Sequence, residues 1–84
     1  MSYSVFITKS AHGSLSRIAA PFQNRIIAAI RNLAGAPRPP GARKLRGRDA
    51  WRIRVGDYRV IYEIRDDLLR VVVVVIGHRR EVYR

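Results

Sequence analysis

Hydrophobic residues recur at three spacings along the chain, and each spacing predicts a different kind of element. From residue 2 to 8, Tyr3, Val5 and Ile7 alternate with Ser4 and Phe6, the two-residue period of a short strand with Phe6 partly covered. Ser10 is placed to cap a helix over 11–19, where Ala11, Leu15, Ile18 and Ala19 share a face and Gly13 weakens the first turn. Pro21 suits the first turn of a second helix, which Gly35 ends. Phe22, Ile26, Ile27, Ile30, Leu33 and Ala34 form its apolar stripe, with Arg25 and Arg31 towards solvent. Two such helices form no core alone but cover one face of a sheet.

The segment 51–62 (WRIRVGDYRVIY) returns to the two-residue period and predicts a hairpin turning at Gly56-Asp57. Trp51, Ile53, Val55, Tyr58, Val60 and Tyr62 then share one face, and Arg52, Arg54 and Arg59 the other. The predicted register pairs Val55 with Tyr58, Arg54 with Arg59, Ile53 with Val60 and Trp51 with Tyr62. A slip of one residue buries arginines. A further turn at Asp66-Asp67 leads to a third strand from Leu68 to about Ile76, apolar on both faces as a central strand is. Its simplest register sets Glu63 against Arg70 and Tyr62 against Val71, with Val72, Val74 and Ile76 flooring the arginine face. The fold class expected is α+β: one compact domain over residues 1–84, ordered β-α-α-β-β-β. Two helices pack on one face of a four-stranded, largely antiparallel sheet.

Composition changes the picture in one respect. The net charge is +11, from 17 basic and 6 acidic residues, and 15 of the 17 are arginine. Acidic residues are absent before Asp49. Such a chain suits polyanions or an acidic protein partner, and guanidinium grips phosphate or carboxylate through a planar fork. The connection 36–41 (APRPPG) is stiff, and 42–50 carries Arg43, Lys44, Arg46 and Arg48 around Leu45, a second phosphate-contacting edge. With no cysteine and only His12 and His78, neither a disulfide nor a metal site is expected, and no cofactor. No signal peptide or membrane span is read, so a cytoplasmic protein is expected.

Arg54 opposite Arg59 is a like-charge pair that costs stability in the free protein; Glu63, Asp57 and Glu81 are the local counter-charges. Metal-free RNA cleavage needs a base for the 2′-hydroxyl, charge to meet the phosphorane and a proton for the leaving 5′-oxygen. Arginines supply the second service and are poor at the others, because they stay protonated. His78 and Tyr83 are the proton-handling groups, and Arg79 or Arg80, after Gly77, is expected to reach the arginine face. Such a nuclease is weak alone and effective when another body holds the RNA for attack.

Three segments in this order, 44–47 (KLRG), 51–62 (WRIRVGDYRVIY) and 77–83 (GHRREVY), resemble the RelE/ParE superfamily of type II toxins, and the last favours its RelE branch. The resemblance spans nearly the whole chain. It implies an mRNA endonuclease that enters the ribosomal A site, cuts by 2′-hydroxyl attack and is silenced by a cognate antitoxin, acidic by charge complementarity. It implies that Arg52 and Arg54 replace two basic residues, often lysines, on the first hairpin strand, and that Arg59 holds the scissile phosphate. Arg79, or Arg80 in its place, stabilises charge, and Tyr83 stacks on or orients the cleaved nucleotide. Arginine at 52 and 54 makes a poor general base, which turns attention to His78 or implies lower activity. The alternatives are a ParE-like toxin acting on DNA gyrase, a weakened homologue that keeps antitoxin binding, and a non-enzymatic basic nucleic-acid-binding module.

Overall fold

The computed structural model of the chain describes residues 2–82. Its elements are β1 (Ser4–Ile7), α1 (Lys9–Ser16), α2 (Ala20–Asn32), β2 (Arg43–Lys44), β3 (Trp51–Val55), β4 (Tyr58–Arg65), a 3-10 turn (Asp66–Leu68), β5 (Arg70–His78) and α3 (Arg79–Val82). Among the described residues the strands form one five-stranded sheet, ordered β1-β5-β4-β3-β2. β1 runs parallel to β5, and the other pairs are antiparallel. The sheet is therefore mixed and five-stranded, which corrects the expected four. The added strand pairs Arg43 with Arg52 and Lys44 with Trp51. Two exposed basic residues carry no hydrophobic period, so the pattern passes over them.

Thr8 rather than Ser10 caps α1, its hydroxyl oxygen accepting the Ala11 backbone N–H at 3.2 Å. The helix accordingly starts and ends earlier than its apolar spacing suggests. α2 carries Pro21 in its first turn, where the missing N–H costs nothing. Ala11, Leu15, Ile26, Ile30 and Leu33 pack on Ile53, Val55, Val60, Tyr62, Val71, Val73 and Ile76. Each large aliphatic side chain buried there contributes about 1.5–3 kcal/mol relative to exposure. Phe22 sits outside that core, 41% exposed, its ring 5.7 Å from Tyr58.

The β3–β4 hairpin has the expected register at all four pairs. Gly56 has φ +60°, and Leu69 is the one non-glycine described residue with positive φ, so Asp57 has not. Positive φ at the first central residue alone is the II′ turn, whose twist matches the flanking strands. The β4–β5 connection departs from expectation. The 3-10 turn and Leu69, at φ +51°, lengthen it, so Arg65 pairs with Arg70, Glu63 with Val72 and Tyr62 with Val73. Glu63 does not face Arg70. Beyond this, Ile61 pairs with Val75, which leaves Val74 as the extra residue of a bulge. One extra residue reverses the facing of everything after it. Ile76 therefore joins the core instead of flooring the opposite face.

The proline-rich connection is pinned by side chains. Tyr62 donates its hydroxyl to the Pro37 carbonyl at 2.7 Å. Arg38 Nη2 lies 2.8 Å from Asp66 Oδ2, and its guanidinium stands 5.3 Å from the Trp51 ring. Tyr3 donates to Asp66 Oδ1 at 2.6 Å. The hydrogen bond from Arg38, then that from Tyr3, holds the Asp66 carboxyl below its ordinary range.

Tyr62 is wholly buried, and desolvation pushes its hydroxyl up to about 12 from 10.0. A folded-state pKa above the unfolded one gives stability that is complete below pH ~10 and lost as pH rises through about 12. Tyr62→Phe is expected to cost about 1 kcal/mol at neutral pH, because the Pro37 carbonyl loses its donor. It should also flatten the alkaline decline, as measured by urea unfolding from neutral pH upward.

Candidate nucleic-acid interface

Strand alternation turns Arg52 and Arg54 of β3, Arg59, Ile61 and Glu63 of β4, and Val72 and Gly77 of β5 away from the helices. Two rows across the strands define the centre of this outer face. Arg43, Arg52, Ile61 and Val75 follow one another from β2 to β5, and beside them run Arg54, Arg59 and Gly77. Ile61 is only 3% exposed although it lies outside the core cluster, so the arginine field has an apolar bed.

Arg59 is 8% exposed, while Arg54 opposite it is open to solvent. Gly77 sets no side chain against Arg59, which leaves the guanidinium room to lie along the sheet. Both Arg54 and Arg59 are engaged by other groups of the chain. Arg59 is thus held against the scaffold, in low-dielectric surroundings that strengthen the pull of its guanidinium on an anion. A cleft of about 560 Å³ opens alongside, lined by Pro40, Gly41, Arg43, Arg52, Ile53 and Arg54. The surface has the charge and the planar donor groups to take phosphate or carboxylate at several points.

The other residues singled out by sequence are dispersed. Lys44 takes the helix side of β2, opposite Trp51, with Nζ 3.9 Å from Asp49 Oδ1. Arg46 and Arg48 are exposed on a tight loop that the Leu45 N–H closes onto the Ala50 carbonyl at 2.9 Å. Arg79 and Arg80 open α3 and are exposed, and the Arg79 backbone N–H donates to the Asp57 carbonyl at 2.8 Å. This bond ties α3 to the hairpin turn. Tyr83 lies outside the described residues.

His78 is parted from the arginines. Its register partner is Tyr58, with the two rings edge to face at 5.8 Å. It lines a separate cleft of about 370 Å³ on the helix side, with Ser14, Arg17, Ile18, Tyr58, Ile76 and Gly77. Its Nδ1 accepts the Arg80 backbone N–H at 3.3 Å, which leaves the proton of a neutral ring on Nε2. The cause of the separation is the Val74 bulge: with strict alternation from Val72, residue 78 would share the arginine face.

Sequence reading gave Arg43 to a basic connection without a strand and did not count Ile61 or Gly77 in this surface. Parity from the hairpin could have found Ile61. Gly77 needed the β4–β5 register, because it lies beyond the bulge. Among the described residues, no three His, Asp or Glu side chains gather as a metal site, and no helix is long and apolar enough to cross a membrane.

The chain is thus a mixed sheet with α1 and α2 packed on one face and arginines on the other. Residues 5–83 match the family described as the ParE toxin of type II toxin–antitoxin systems, parDE, and the chain belongs to that family. It is thus a toxin of a type II toxin–antitoxin system, with an antitoxin as its partner class. Curated proteins give no match. Among solved structures, it is similar to a chain of the toxin–antitoxin complex RelBE2 from Mycobacterium tuberculosis. That likeness has a TM-score of 0.83 and 24% identity, over 94% of this chain and 100% of the other. It is similar to a chain of the archaeal RelE–RelB complex from Pyrococcus horikoshii, with TM-score 0.81 and 25% identity over 98% and 100%. The isolated RelE toxin of E. coli gives 0.80 and 24% over 96% and 90%. The family match and the structural likenesses together support the RelE/ParE superfamily fold without separating its two branches.

Binding of an uncleavable single-stranded RNA should fall steeply with salt. Arg52→Gln is expected to lessen the slope of log K against log salt by about 0.7 for each phosphate it ceases to neutralise. Arg25→Gln, on α2, should leave it unchanged. Fluorescence anisotropy across a salt series reads both.

Proposed function

We propose that this toxin is a ribosome-dependent mRNA endonuclease whose arginine face holds the scissile phosphate. The observation that carries the reading is the buried Arg59 set opposite the exposed Arg54, beside the row of Arg43 and Arg52. In this mechanism the 2′-oxygen attacks the adjacent phosphorus, a cyclic 2′,3′-phosphate forms, and the 5′-oxygen leaves. Negative charge grows on the non-bridging oxygens, where Arg54 and Arg59 stabilise it more strongly in the transition state than in the ground state. Arg52 and Arg43 hold the neighbouring phosphates. Arg79 or Arg80 closes the charge field from α3, and Tyr83 orients the nucleotide.

Proton transfer is the weak part of the site. Arginines neither accept nor release protons readily, and His78 lies on the other face. Rate must come chiefly from orientation of the message by the ribosome. The antitoxin in this reading is acidic and lies over basic surface.

A second reading, a ParE-like toxin that blocks DNA gyrase, is supported by the ParE description of the matching family and by the separation of His78 from the arginines. Primer extension on translated messages discriminates. Cleavage at discrete sites is expected from the wild type, and Arg54→Gln should cut its rate by about 10²-fold or more, with no loss of thermal stability. Undiminished cleavage by Arg54→Gln would contradict the mechanism. Intact messages together with blocked gyrase supercoiling would select the second reading.

A further inference from the structure

The outer face does not end at the arginine rows. Towards β1 it carries Phe6, which is 51% exposed and turned from the core that Val5 and Ile7 join. The Arg70 guanidinium stands 5.6 Å from the Phe6 ring centroid. Phe6 pairs with Val72, and Glu63 pairs with Val72 from the other side, so the ring stands on the same sheet surface as Arg59. Arg65 and Arg70 pair at the end of β4 and β5, both exposed, with Arg65 Nε 3.7 Å from Asp67 Oδ1.

We propose that Phe6 and Arg70 form a stacking subsite for one base of single-stranded RNA, several nucleotides along the strand from the phosphate held by Arg54 and Arg59. The inference rests on the RNA reading above and adds the place where the strand continues. Phe6 is two strands, or about 10 Å, from β4 and about four residues along from Arg59. A base has two π-faces, and an aromatic ring backed by a guanidinium takes one of them whatever the sequence. The charge of Arg65 and Arg70 complements the backbone flanking that base. A ring kept only to cover the sheet edge would have no need of the aromatic face, and leucine would serve as well.

The test uses the whole chain and a 2′-O-methyl hexanucleotide, which cannot be cut by 2′-hydroxyl attack, with the matching dinucleotide as control. Phe6→Leu is expected to weaken hexanucleotide binding about five-fold or more, and Phe6→Trp to keep or tighten it. Neither should change dinucleotide binding, and thermal melts establish that both variants fold. If Phe6→Leu binds the hexanucleotide like the wild type while Arg54→Gln binds it less well, the stacking subsite is wrong and the RNA reading stands. If Arg54→Gln also leaves binding unchanged, the RNA reading fails and the subsite with it. Loss of antitoxin binding by Phe6→Leu with RNA binding intact would assign the ring to the protein partner and overturn the proposal.

Discussion

Val55 against Tyr58 and Ile53 against Val60 set a register in which the hairpin packs its apolar side on the helices and turns its arginines to the outer face. The constraint is severe because side chains alternate with a period of two, so a slip of one residue would turn one strand over and drive either Arg52 and Arg54 or Arg59 into the core. Gly56 makes the register geometrically possible by supplying the positive φ of a II′ turn. Once this pairing is fixed, Arg54 and Arg59 must face each other, whatever their mutual repulsion. The hydrophobic packing against α1 and α2 holds together a charge arrangement that would not assemble by itself.

The same division shapes the rest of the molecule. α1 and α2 cover only the inner face, leaving the outer one to charge, with Ile61 as its apolar bed. The two ends of the sheet are treated differently. At β2 the strand is two residues long and basic, which discourages pairing with another chain. The stiff connection leading to it is moored by Tyr62 to Pro37 and by Arg38 to Asp66, so Arg38 serves the fold and stands apart from the arginine rows of the outer face.

The hairpin was legible in the sequence because a turn glycine and strict alternation agree there. So was the apolar face of α2, except at Phe22. What escaped did so for identifiable reasons. Arg43 and Lys44 are too few to show alternation, so the fifth strand was invisible. The run of five valines at 71–75 has no polar residue to mark a face, so neither the β4–β5 register nor the bulge at Val74 could be read from it. That bulge decides where His78 points. The arginine cluster was thus readable from local pattern, whereas the position of the histidine depended on one residue's excess in a featureless strand. Phe6 was visible as an alternate residue of β1, but its exposure depended on the outer face being left bare.

The central claim is that the bare sheet face, and not the helix face, receives phosphate. Side-chain Nε–Hε resonances of the arginines, followed by NMR while an uncleavable RNA is titrated in, test it most directly. Resonances of Arg43, Arg52, Arg54 and Arg59 should shift together and saturate at one concentration, with those of Arg17, Arg25 and Arg31 nearly still. Shifts concentrated on Arg17, Arg25 and Arg31, with the hairpin arginines unmoved, would contradict the account.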